Sequence, residues 1–282
     1  MRKEDSMAGG LKAEKGFSSQ WRSEKELERL LPAIASAGFA GVEPTFNAGA
    51  IPSPESYPAQ AKTFARRCRD LGLLVPSMRG GLRFWDTIPS PEPAERAKAL
   101  EHAKNALECL TILGGKTLLV VPGRIHPEVS YEDHWKRAVD FAKEAGELAS
   151  PLGLVIGLEN VEARLPLSVR EWKELLAEIN HPSVRMYLDV GNVLWLGLGF
   201  PEQWILSLRE RICQVHFKDA LFGRSLCHLL EGEVNWKGVA RALKKIEYQG
   251  WISVEPDWYP FAPERLPERL SKDLDAIFAL AD

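Results

Sequence analysis

The sequence predicts an α/β fold, a single-domain (β/α)8 TIM barrel, and three observations carry that prediction. Short apolar runs alternate strictly with amphipathic helical stretches, eight of each, and no composition shift marks a second domain. The runs hold β-branched residues and leucines without polar alternation, the pattern of strands buried on both faces of a parallel sheet. The last four runs each lead into one polar residue: Leu154–Leu158 into Glu159, Val184–Leu188 into Asp189, Ile212–Val215 into His216, and Trp251–Val254 into Glu255. Alternation implies right-handed βαβ crossovers, and eight such units fit a barrel of 282 residues. An open doubly wound sheet is disfavoured, because no Gly-x-Gly-x-x-Gly turn follows the first strand.

Residues 1–13, with Gly9-Gly10 and alternating charge, read as a flexible leader, and 14–282 as the barrel domain. Lys15–Gln20 is the first, weak strand. Ser23 opens a helix with Glu26 three residues on as a capping box, Leu27, Leu30, Leu31 and Ile34 give it helical period, and Gly38 stops it. Gly41-Val42-Glu43 is a second short strand, Ala59–Leu71 a helix, and Leu73-Leu74-Val75-Pro76 a third strand. Residues 77–93 read as a long loop whose arginines and aromatics favour a functional role. A helix over Ala94–Leu113 and a strand over Thr117–Val121 follow, then a helix over Tyr131–Ala149. Helices near 168–179, 201–209 and 236–247 separate the last four strands, and one over 264–281 closes the chain.

Composition excludes several function classes. Lys plus Arg is 36 and Asp plus Glu is 39, a net charge of −3, which leaves no basic footprint for nucleic acid. No apolar run approaches the roughly 20 residues of a membrane span. The charged start carries no secretory h-region, and the four cysteines show no Cys-x-x-Cys spacing, so a cytoplasmic protein with reduced thiols is expected. Cys109 and Cys213 read as core residues.

The chemistry sits at the strand ends. Spacings of 30, 27 and 39 residues separate Glu159, Asp189, His216 and Glu255, each about one βα unit, so the four are expected on consecutive staves. All carboxyl ends of a parallel barrel point to one face, where active sites are built. A lone acid at a strand end also serves as a helix N-cap or a loop ion pair. Three carboxylates brought together repel unless a cation lies between them. Three oxygen ligands and one imidazole suit one divalent metal ion: Mn²⁺, Mg²⁺, Co²⁺ or Zn²⁺.

Glu159-Asn160, Asp189-Val190-Gly191-Asn192, Val215–Asp219 and Ser253-Val254-Glu255 resemble the strand-end motifs of the xylose isomerase-like TIM barrels, a superfamily of sugar and sugar-phosphate isomerases and epimerases. Glu231-Gly232-Glu233 and Tyr248-Gln249-Gly250 match further segments of that family, so the resemblance is specific over about 150–256. It implies a metal-dependent isomerase or epimerase acting on a sugar, keto-sugar or sugar phosphate through an enediolate. Glu159, Asp189, His216 and Glu255 would hold the metal, and Glu159 and Glu255 would move the proton. One departure concerns the reaction subtype: much of the ketose 3-epimerase branch has histidine where this chain has Asn192, a position expected to contact substrate.

Softer candidates surround the quartet. Lys218 is expected either at the substrate or in an ion pair with Asp219, and Glu43 and His126 near the mouth as substrate contacts. Trp258, with Trp21, Trp85, Trp195 and Phe222, is a candidate apolar wall, and His228 lies on a loop that reaches the mouth. Arg79, Arg83, Arg124 and Arg224 are candidates to hold a phosphate or carboxylate; His102, His134 and His181 are expected on the surface. The same site would also support a lyase or dehydratase, by β-elimination. An endonuclease IV-like nuclease, which shares the fold, is disfavoured because it needs three zinc ions and a histidine-rich mouth, and this chain has six histidines. Assembly into a homo-oligomer is left open.

Overall fold

A computed structural model describes residues 10–256 and 263–282. Trp258 and the first nine residues of the expected leader lie outside the described residues. Eight parallel strands form the barrel: β1 Glu14–Ser18, β2 Gly41–Glu43, β3 Ser77–Arg79, β4 Thr117–Val120, β5 Val155–Glu159, β6 Val184–Asp189, β7 Ile212–Phe217 and β10 Trp251–Val254. They follow the order β2-β1-β10-β7-β6-β5-β4-β3. Two isolated parallel bridges, Gly41 to Leu74 and Thr45 to Arg79, draw β2 and β3 together and nearly close the ring. A small antiparallel hairpin of β8 Asp219–Leu221 and β9 Ser225–Cys227 projects after β7.

The helices are α1 Glu24–Ser36, α2 Tyr57–Asp70, α3 Arg83–Thr87, α4 Pro93–Leu113, α5 Tyr131–Ala149, α6 Val169–Ile179, α7 Val190–Trp195, α8 Pro201–Leu208, α9 Trp236–Lys245 and α10 Leu266–Ala279. One half of the expected capping box is present at α1: Ser23 Oγ accepts from Glu26 N at 3.2 Å, while Glu26 Oε2 reaches one residue further back than the N-cap and accepts from Arg22 N at 2.7 Å. Leu27, Leu30, Leu31 and Ile34 form its buried stripe, and Trp172, Leu175, Leu176 and Ile179 do the same for α6. Each such side chain contributes about 1.5–3 kcal/mol through burial.

Strand periodicity divides the core in two. Phe17, Val42, Met78, Leu118, Ile156, Met186, Val215 and Ile252 alternate outward from the barrel axis and are fully buried beneath the helices. Many of the intervening residues are small or polar, among them Ser18, Glu43, Ser77, Thr117, Gly157, Tyr187, Gln214, His216 and Ser253. Close fit explains the glycine at 157, where a Cβ would meet Thr117 Cγ2 and Tyr187 Cδ2 at 3.0 Å. No helix among the described residues is long and apolar enough to cross a membrane.

Several expectations need correcting. The third strand is Ser77–Arg79, not Leu73–Pro76. Pro76 has no N–H to give a ladder, so it contributes only its carbonyl, which accepts from Lys116 and Thr117. Residues 77–93 are therefore no plain loop but hold β3 and α3. His102 and His134 are buried, not on the surface. His102 Nε2 meets the Gly80 carbonyl at 2.7 Å between Phe46 and Phe84, and burial lowers its pKa. His134 Nε2 accepts from His126 N at 2.7 Å. Cys213 is only half-buried, whereas Cys109 lies in the core.

Candidate metal centre

Glu159 ends β5, Asp189 ends β6, His216 lies next to last in β7 and Glu255 follows β10 directly. These strands are neighbours in the ring, and Asp189 and His216 are register partners. The structure thus brings the four together: one ligand atom from each lies within 4.8 Å of all the others. His216 Nδ1 stands 3.3 Å from Glu159 Oε1, 3.3 Å from Glu255 Oε2 and 3.9 Å from Asp189 Oδ2. Bonds of about 2.1 Å to a common ion at ordinary angles set neighbouring ligand atoms about 3.0–3.4 Å apart; the Glu159 and Glu255 oxygens match that spacing around His216 Nδ1, and Asp189 Oδ2 stands somewhat wider, so the group could hold one small divalent cation.

Asp189 is held in place by its neighbours. Its Oδ1 caps α7 by accepting from Asn192 N at 2.7 Å. Its Oδ2 is buried and accepts no hydrogen bond among the described residues, and its ion pair with Lys218 Nζ at 3.2 Å leaves room on this oxygen for a further cation. Asn160 brackets its backbone, Oδ1 accepting from Asp189 N and Nδ2 donating to Asp189 O, both at 2.8 Å. Burial raises the Asp189 carboxyl above the usual range, against the pull of Lys218 and with the push of Glu159. Gly191 lets α7 approach β7 this closely, since a Cβ there would lie 2.5 Å from Lys218 Cβ and 2.8 Å from its carbonyl oxygen. Burial would lower the His216 imidazole, but the Glu43 and Glu159 carboxylates outweigh it and hold it at about 9.

Two cations flank the quartet. Lys218 Nζ lies 2.8 Å from Glu255 Oε2 and 3.2 Å from Asp189 Oδ2. Asp219, the partner considered from sequence, uses its carboxylate on Ala220 N, Val234 N and Trp236 Nε1. Arg79 Nη1 pairs with Glu255 Oε1. Above them opens a hollow of about 810 Å³, measured out to its mouth, with Gln20, Asn47, Trp85, Trp195, Glu159 and Glu255 among its lining residues.

The remaining candidates fall into different places. Glu43 is not at the substrate face: it is fully buried beneath His216, with its oxygens taken by Ser18, Ser77, Tyr187 and His216. Asn192 is buried too, its Nδ2 donating to Asn160 O at 2.9 Å. His126 is exposed on the loop after β4, its Nδ1 accepting from Glu128 N, and it is not among the residues lining the hollow. Sequence reasoning passed over Ser18, Ser77, Tyr187 and Gln214. The signal that would have found them is period-2 alternation, which points them inward with Glu43 and His216.

The sequence model of the family described as "Xylose isomerase-like TIM barrel" matches residues 31–278. The chain is 26% identical over 233 residues to the 2-oxo-tetronate isomerase of Pectobacterium atrosepticum, covering 79% of this chain and 83% of that protein. Among solved structures, the D-allulose 3-epimerase of Methylomonas sp., in complex with D-allulose, superposes with a TM-score of 0.75 at 20% identity, over 95% of this chain and 99% of that one. The 3-keto-D-glucoside 4-epimerase of E. coli also gives 0.75, at 19% identity, over 94% and 99%. At these identities the two structures speak for the fold alone, and the match over residues 31–278 speaks for descent: the chain belongs to the xylose isomerase-like TIM barrel family.

Proposed function

We propose that this protein is a divalent-metal-dependent isomerase or epimerase of a sugar, keto-sugar or sugar phosphate, with Glu159 and Glu255 as its acid/base pair. One observation carries the reading: of the four clustered residues, Glu159 and Glu255 line the hollow, whereas Asp189 and His216 are sealed from solvent. The relative named as a 2-oxo-tetronate isomerase supports the reaction class. Glu159, Asp189, His216 and Glu255 would hold the metal. Such a cation, Mn²⁺, Mg²⁺, Co²⁺ or Zn²⁺, polarises a carbonyl and offsets the negative charge that develops when the adjacent carbon loses its proton.

The chain's own residues supply the rest. The two glutamates stand on the outermost of four consecutive strands, with Asp189 and His216 between them. A sugar seated in the hollow would present one face to each. One carboxylate removes the proton and the other, already protonated from solvent, delivers its own proton to the opposite face, which inverts the centre; delivery to the neighbouring carbon, with the hydroxyl proton passing between the two oxygens, isomerises the sugar. Arg79 and Lys218 fix the Glu255 carboxylate from two sides. Trp85 and Trp195 offer apolar walls, and Gln20 and Asn47 carry amides suited to sugar hydroxyls.

The test is solvent-deuterium incorporation. The protein is incubated in D₂O with Mn²⁺ and a panel of ketoses, keto-acids derived from sugars, and their phosphates. Deuterium at the carbon next to the carbonyl, without loss of water, is expected from one of them. Loss of water from the product would instead assign elimination, and no exchange in any member would overturn the reading.

A further inference from the structure

The carboxylate of Glu43 is a fully enclosed charged group in the barrel's interior that the proposed proton transfer does not use. It ends β2 with no exposed surface, and four donors reach it from four other strands. Its Oε1 accepts from Ser18 Oγ of β1 at 2.7 Å and faces His216 Nε2 of β7 at 2.7 Å. Its Oε2 accepts from Tyr187 Oη of β6 at 2.5 Å and from Ser77 Oγ of β3. Gln214 Nε2 donates to Ser77 Oγ at 2.6 Å and so leaves that hydroxyl's proton free for Glu43. An ionised carboxylate has about four lone-pair sites, and here all are used.

That arrangement constrains His216. A saturated acceptor opposite Nε2 requires Nε2 to carry a proton. In the neutral ring, Nδ1 is then the bare nitrogen, and Nδ1 is the atom facing Glu159, Asp189 and Glu255. The Tyr187 ring packs on the imidazole with centroids 4.6 Å apart and fixes its plane. A carboxylate behind a ligating histidine sets the tautomer and raises the ligand's basicity, and losing such a partner typically costs about 10–100-fold in metal affinity.

We propose that Glu43 is a positioning residue that locks His216 as the Nε2–H tautomer and so presents Nδ1 to the metal, touching neither metal nor sugar. The inference rests on the metal reading above. Its test is metal affinity of the full chain, by titration with Mn²⁺ and Zn²⁺ against a chelator, together with ¹⁵N shifts of His216 in the Zn²⁺-loaded protein. Wild type is expected to show Nε2 protonated and Nδ1 metal-bound. Glu43→Gln, which keeps the shape and drops the charge, is expected to bind metal about 10–100-fold more weakly and to shift the His216 nitrogens, with circular dichroism unchanged. Affinity within twofold of wild type and unmoved nitrogen shifts would overturn the proposal. Should Glu43→Gln fail to fold, the wild-type spectrum still decides: coordination through Nε2, or an unprotonated Nε2, also overturns it. Absence of metal binding in wild type is a separate outcome, and it removes the metal reading and this inference together.

Discussion

Glu159 and Glu255 differ from Asp189 and His216 in what they touch, and substitutions should separate the two pairs. Glu159→Gln and Glu255→Gln are each expected to lower turnover by about 10²–10⁴-fold, the usual worth of a positioned acid or base. Both residues line the hollow and Gln keeps their shape, so the far-ultraviolet spectrum should stay that of wild type. Turnover near wild type in either variant would remove the two-carboxylate mechanism. His216→Ala is expected instead to show most clearly in metal titration, because it deletes the nitrogen ligand and strands the Glu43 charge beneath it. The quartet was legible in the sequence because each member directly ends or follows an apolar run, so strand and ligand are read from the same few residues. The role of Glu43 was not legible. Its partners Tyr187 and His216 lie 144 and 173 positions away, and no local pattern reports a contact across the barrel.

At the scale of elements, the Asp189-Val190-Gly191-Asn192 segment turns β6 straight into α7, so the metal candidate is also that helix's N-cap. Gly191 is the element that permits it. Gly191→Ala would force a methyl against backbone atoms of Lys218, which cannot swing aside. A loss of about 1–3 kcal/mol in denaturant unfolding is expected, together with weaker metal binding as Asp189 moves with the helix. Unchanged stability and metal affinity would show that α7 has room to shift. The motif's glycine was visible in the sequence, but the close approach that demands it was not. Helices were read nearly to the residue where a cap and a stop were both present, as with Ser23 and Gly38 around α1. The third strand was misplaced because an apolar run was given more weight than the missing N–H of Pro76.

At the scale of the whole molecule, the four candidate ligands come from one continuous arc of the ring, and metal binding there should therefore stabilise the entire fold. Metal at 100 times its dissociation constant contributes about 2.7 kcal/mol. For a domain of this size that corresponds to a rise of roughly 5 °C in Tm, reversed by a chelator and reduced in His216→Ala. An unchanged Tm with and without metal would argue against a site in the native barrel. Barrel class was legible because strict alternation and unbroken apolar runs leave few alternatives, and the polar interior was hidden because inward residues such as Ser18, Ser77 and Ser253 are individually unremarkable.

Whether two carboxylates at the ends of that arc move a proton on a sugar carbon, with a divalent metal in place, is read from proton exchange with solvent. In D₂O with Mn²⁺, wild type should place deuterium at the carbon beside the carbonyl of one sugar in the panel. Glu159→Gln and Glu255→Gln should each suppress that exchange, and chelation should abolish it. Exchange that persists in both variants, or that never occurs in metal-loaded wild type, would contradict the account.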